Sequence, residues 1–169
     1  SALSFIEIIE TFESISWGAL GSYWDTWSGV TSEQGTITGD SQLQMLTNND
    51  VVFAPPTPVN VGLIEVSFDL TLEPGTYAYF ALGNTGDADD WQHEWQTYFY
   101  GTDSTYYYYD AGWTENDYVH GATMRVSTSI NLDSSEDNSA LVSVDDLPIK
   151  SWNWTGAFGG IDFWGYHDA

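Results

Sequence analysis

From Leu63 to Leu72 every second residue is apolar. Ile64, Val66, Phe68 and Leu70 fall on one side, and Glu65, Ser67, Asp69 and Thr71 on the other. Side chains alternate between faces along a strand, so this run predicts a β-strand with one dry and one wet face. Met124, Val126, Thr128 and Ile130 repeat the pattern. No segment carries a long 3.6-residue period. Strands are expected at 3–9, 11–15, 35–38, 42–46, 50–54, 63–72, 76–82, 94–100, 105–110, 123–132, 139–146, 148–152 and 158–164. Glu73-Pro74-Gly75 and Asp145-Asp146-Leu147-Pro148 read as turns, and Asp133 to Asn138 as a polar hairpin loop. Val52 to Val61 holds three prolines, which have no amide hydrogen for a sheet ladder, so a crossing loop is expected there. The sum is an all-β, antiparallel β-sandwich of jelly-roll type.

Chain length of 169 residues fits one domain with a full core. The charge narrows the partners. There are 25 acidic residues against Arg125 and Lys150, a formal net charge of −23. Nucleic acid and anionic membranes need basic surface and are poor partners, and polyuronates are repelled unless divalent cations intervene. Cysteine is absent, which excludes disulfides, thiolate metal sites and Cys nucleophiles. No 18-residue apolar run is present. A secreted, extracellular or cell-surface setting is expected, since so acidic a surface keeps a protein soluble there.

Phe12-Glu13-Ser14, Trp24-Asp25-Thr26-Trp27-Ser28, Thr31 to Gly35, Val66-Ser67-Phe68, Tyr77 to Phe80, Trp91 to Phe99, Ser151-Trp152-Asn153-Trp154 and Gly159 to Trp164 follow in order. The series resembles LamG-like, concanavalin-type jelly-roll modules of secreted bacterial surface proteins. The resemblance implies a closing strand beside the opening Phe-Glu strand, and nothing of that kind follows Ala169. Ser4 to Glu10 has its character instead. Residues 1–10 are therefore expected to form a strand donated to a neighbouring subunit or repeat, with 11–169 as the sandwich. Leu3, Phe5, Ile6, Ile8 and Ile9 would be the donor side chains. Strand addition satisfies an open sheet edge and buries apolar groups together. Because each contact is heterologous, repetition gives a filament.

The leading expectation is thus a non-catalytic subunit that assembles with itself into a filament or adhesin stalk. The alternative is a carbohydrate-binding module with polysaccharide as partner. For sugar stacking the candidates are Trp24, Trp27, Tyr107 and Tyr109, since aromatic rings pack on pyranose faces. Glycosidase chemistry lacks its paired carboxylates: Glu65 and Asp69 share a face but stand about 13 Å apart along a strand. Gln92-His93 is the one hint of a lyase, with Arg125 on another strand. Asp87, Asp89 and Asp90 offer oxygen ligands of the kind calcium takes, without an EF-hand pattern. Asn153-Trp154-Thr155 is the one N-glycosylation sequon.

Overall fold

In the computed structural model the described residues are Phe12, Ser16, Trp17, Leu20, and the segments 22–38, 40–84, 92–100, 105–109, 113–134 and 139–167. They form thirteen strands: β1 Trp24–Thr26, β2 Thr36–Ile37, β3 Leu43–Gln44, β4 Asn49–Phe53, β5 Leu63–Thr71, β6 Thr76–Gly83, β7 His93–Tyr100, β8 Thr105–Tyr109, β9 Trp113–Asp117, β10 Thr123–Asn131, β11 Ala140–Val144, β12 Leu147–Trp152 and β13 Gly160–His167. A seven-stranded sheet runs β1-β4-β13-β6-β7-β8-β9, and a four-stranded sheet runs β12-β11-β10-β5. A small β2-β3 ribbon lies apart, and every pairing is antiparallel. The all-β sandwich expected from the sequence is what the chain forms.

The two sheets meet through side chains of one parity. Met124, Val126 and Ile130 of β10 are buried against Phe80, Leu82, Trp95 and Phe99 of the large sheet. Phe68 meets Phe80 and Phe163 edge-on at 5.3 and 5.1 Å, and Trp95 stacks on Trp152 at 4.9 Å. Such pairs add to simple burial because ring edges and faces carry opposite partial charge.

The small sheet's other face is wet. There Arg125 bridges Asp69 at 2.9 Å and donates to Ser67, with both ions of the pair half exposed. Exposed pairs of this kind contribute at most about 1 kcal/mol. Glu65 and Asp69 lie on that face as expected. His93 and Arg125 belong to different sheets, so they do not converge.

Turn chemistry is legible at two places. Asp145 and Asp146 take φ values of 50° and 63°, the left-handed pair that closes a two-residue hairpin between Val144 and Leu147. Gly160 opens β13 at φ 150°, and an added Cβ would stand 2.5 Å from the Phe53 carbonyl oxygen. Only glycine fits there.

Some boundaries differ from expectation. β4 carries Val52 and Phe53 in mid-sheet, between β1 and β13; the crossing loop therefore starts at Ala54, just before the prolines. β1 and β9 were not expected as strands, being short and rich in polar residues and tryptophan. Residues 1–10, with the donor side chains Leu3, Phe5, Ile6, Ile8 and Ile9, lie outside the described residues. So do Asp87, Asp89 and Asp90. Among the described residues no group of three or more His, Cys, Asp or Glu is placed to hold a metal ion.

Candidate functional site

The large sheet's outer face is where the chain departs from ordinary patterning. Along β6 the core takes Phe80 and Leu82, so Tyr77 and Tyr79 point the other way. Along β7 the core takes Trp95 and Phe99, so Tyr98 and Tyr100 point outward. Along β13 the inward residues are Ile161 and Phe163, leaving Asp162, Trp164 and Tyr166 outward. Sheet faces turned away from the core are usually polar, and part of this one is covered, with Tyr79, Ala81 and Asp162 buried on it. This one is aromatic over three adjacent strands.

Register assembles these side chains into ranks across the strands. Tyr77 pairs with Tyr166 on one side and Tyr100 on the other. One step along, Tyr79 pairs with Trp164 and Tyr98. The next rank is Asp162, Ala81 and Gln96. Directly opposite residues share a face, and consecutive ranks are about 7 Å apart. Trp164 stacks near-parallel to Tyr166 with centroids 5.8 Å apart. Tyr77 meets Tyr100 edge-on at 5.7 Å and Tyr166 at 5.7 Å. Tyr79 and Tyr98 are 4.6 Å apart, and the Tyr79 hydroxyl donates to Gln96 Oε1 at 3.4 Å.

Between these rings lies an open cleft of about 380 Å³, lined by Tyr77, Ala78, Tyr98, Phe99, Tyr100, Trp164 and Tyr166. Among the described residues no charged one lines it. Four phenol hydroxyls belong to its walls, each able to donate and to accept. Neighbouring rings restrain one another, so little side-chain freedom remains to be lost on binding.

At the cleft's end two carboxyls meet. Asp50 of β4 lies opposite Trp164, and Asp162 is two residues before Trp164 on the same face. Asp162 is only 5% exposed. Burial, then the charge of Asp50 and a hydrogen bond to it, push the Asp162 carboxyl up to about 9. Asp50 is also raised, chiefly by burial, while the hydrogen bond from Asp162 pulls the other way. The pair therefore holds one proton at neutral pH, on Asp162, shared with the Asp50 carboxylate. Glu33, in a short 3₁₀ turn (Thr31–Glu33) packed against β4, adds a further repulsive charge to both. Oδ1 of each aspartate has no hydrogen-bond partner among the described residues.

The sequence candidates for sugar stacking are not brought together. Trp24 lies in β1, the outermost strand of the large sheet among the described residues, and packs among Phe12, Trp17, Phe53 and Phe163 at 5.1–6.3 Å. Trp27 follows it, half-buried, its amide donating to the Asp50 carbonyl. Tyr107 and Tyr109 are in β8, across the same sheet. The backbone of Tyr107 pairs with that of Tyr98, next to the cleft; the side chains of both β8 residues lie outside the described ones. Asn153 is exposed, and the Thr155 hydroxyl of its sequon donates to Glu94. The cleft residues escaped sequence reading, yet carry a shared signal: Tyr77-Ala78-Tyr79, Tyr98-Phe99-Tyr100 and Trp164-Gly165-Tyr166. Each is an aromatic–x–aromatic step on a strand whose other parity is core.

No protein-family model and no curated protein matches the chain. Among solved structures it is similar to a chain titled sialidase, at 16% identity and a TM-score of 0.51, over 68% of this chain. The match spans 10% of that sialidase chain. A second similarity is to the carbohydrate-binding module CBM66 from Bacillus subtilis, at 14% identity and a TM-score of 0.46, over 86% of this chain and 88% of that one. The likeness to the sialidase chain is one of fold.

Proposed function

We propose that this chain is a non-catalytic carbohydrate-binding β-sandwich that seats sugar rings on the outer face of its large sheet. One observation carries the reading: a preformed aromatic cleft, three strands wide, with no charged side chain among its described lining residues and edged with phenol hydroxyls. A pyranose offers a C–H face to stack and a hydroxyl rim to bond, and the cleft offers the complement of both. Binding sites are commonly concave, mostly apolar and set with a few polar groups. The extracellular setting expected from composition belongs to this reading; among the described residues no helix is long and apolar enough to cross a membrane.

The carboxyl pair speaks against hydrolysis. Glycosidase carboxyls stand roughly 5–9.5 Å apart, with the scissile bond between them. Asp50 and Asp162 hydrogen-bond directly to each other, and Asp162 is closed to solvent. Electrophoresis through gels containing soluble polysaccharides tests the reading. The chain should be retarded by at least one polysaccharide without releasing reducing ends. Free migration through every gel would contradict binding, and released sugar would contradict the non-catalytic assignment.

Strand addition remains a second reading, on one observation. Among the described residues β5 pairs only with β10, and its inward Ile64, Val66, Phe68 and Leu70 are half-buried where the β10 core side chains are fully buried. Removing residues 1–10 separates the readings. Glycan retardation survives if the cleft is the functional site, whereas loss of high-molecular-weight assemblies would support strand donation.

A further inference from the structure

We infer that the cleft selects uncharged glycan chains and rejects acidic ones, a step that rests on the glycan-binding reading above. Among the described residues no lining residue is cationic, so none of them would form an ion pair with a uronate or sialate carboxylate. Of the chain's two basic residues, Arg125 sits on the other sheet, bound to Asp69 and Ser67. Lys150 is in β12, also in the other sheet. One acidic group beside the cleft is Asp50, whose backbone pairs across from Trp164. A ligand carboxylate on the Trp164 rank would face that charge from the neighbouring strand, within a few ångströms of poorly hydrated protein.

The net charge of −23 adds a long-range barrier of the same sign. It also disfavours a second copy of this chain as the occupant, since two such surfaces repel. A neutral chain meets neither obstacle. It gains ring stacking, and its hydroxyls meet the phenols of Tyr77, Tyr98, Tyr100 and Tyr166.

The test is calorimetric titration of the whole chain with oligosaccharides of matched length at low and high salt. The neutral set comprises β-glucan, xylan and galactomannan fragments. An acidic set comprises polygalacturonate and sialylated fragments, and chitosan fragments supply cationic sugars. A neutral ligand should bind with little salt dependence, and acidic ones should bind at least about tenfold more weakly at low salt. Tyr100→Ala, at the most exposed ring of the cleft, should weaken the neutral ligand about tenfold with an unchanged circular dichroism spectrum. Acidic fragments binding as tightly as neutral ones would overturn the selectivity and leave the glycan reading standing. Chitosan binding alone, lost at high salt, would do the same. Silence from all three sets would overturn both, as would a cleft found closed by self-association.

Discussion

Asp162→Asn should make the protein more stable at pH 8, by roughly 2–4 kcal/mol, and should flatten its stability between pH 5 and 8. Asp162 is buried beside the Asp50 carboxylate, and its folded-state carboxyl is raised to about 9 from an ordinary 3.8. A carboxyl raised in the folded state binds its proton more tightly there than in the unfolded chain. Its contribution is fully present below about pH 4 and is lost as pH rises, up to about 9. Each pH unit in that window costs up to about 1.4 kcal/mol; sharing the proton with Asp50 brings the realised loss below that ceiling. Asparagine keeps the shape and still donates to Asp50, but has no proton to lose. Thermal melts of both proteins should coincide near pH 4 and separate by roughly 5–10 °C at pH 8. The remaining acidic groups repel in both proteins alike, so the difference isolates this site. Parallel melting curves at every pH would contradict a shared proton.

Trp164→Ala should weaken glycan binding by about 30-fold or more, equal to about 2 kcal/mol, the cost typical of a central aromatic anchor. Trp164 touches both ranks of the cleft, stacking on Tyr166 and pairing with Tyr79. Removing it takes away ligand contact and also frees Tyr166 from its stacked neighbour. Trp164→Phe keeps a ring on that wall and should retain most of the affinity. By contrast Trp24→Phe should leave binding intact, because Trp24 packs with Phe53 and Phe163. Titration of the three variants checks this ordering. Equal losses for Trp164→Ala and Trp24→Phe would place the site elsewhere.

The sandwich was legible where one sheet face is wet. β5 and β10 belong to the four-stranded sheet, whose outer face carries Glu65, Ser67, Asp69, Arg125 and Ser127, so alternation shows in the bare sequence. β6 and β13 hide their period because both parities are aromatic or apolar: Phe80 and Leu82 face in while Tyr77 and Tyr79 face out. Both strands are expected at 76–82 and 158–164 and are found there; what the sequence hides is which parity faces out, and that outward parity makes the cleft.

Site residues were harder to read for a related reason. Trp24 to Trp27 and Tyr106 to Tyr109 drew attention because they are neighbours in sequence. Yet Trp24 is packed with other rings, and the side chains of Tyr107 and Tyr109 lie outside the described residues. The cleft is built from residues near 78, 99 and 165, joined only by strand register. Asp50 and Asp162 are likewise more than a hundred residues apart and meet through β4-β13 pairing. Sequence carries the period of one strand far better than the register between two.

The most direct test of the outer-face site is to watch the rings themselves while a neutral oligosaccharide is added. In aromatic carbon-13 NMR spectra, signals of Tyr77, Tyr98, Tyr100, Trp164 and Tyr166 should shift together with a single affinity, while those of Trp24, Trp95 and Trp152 stay fixed. Shifts confined to Trp24 and its neighbours, or to no ring at all, would contradict the account.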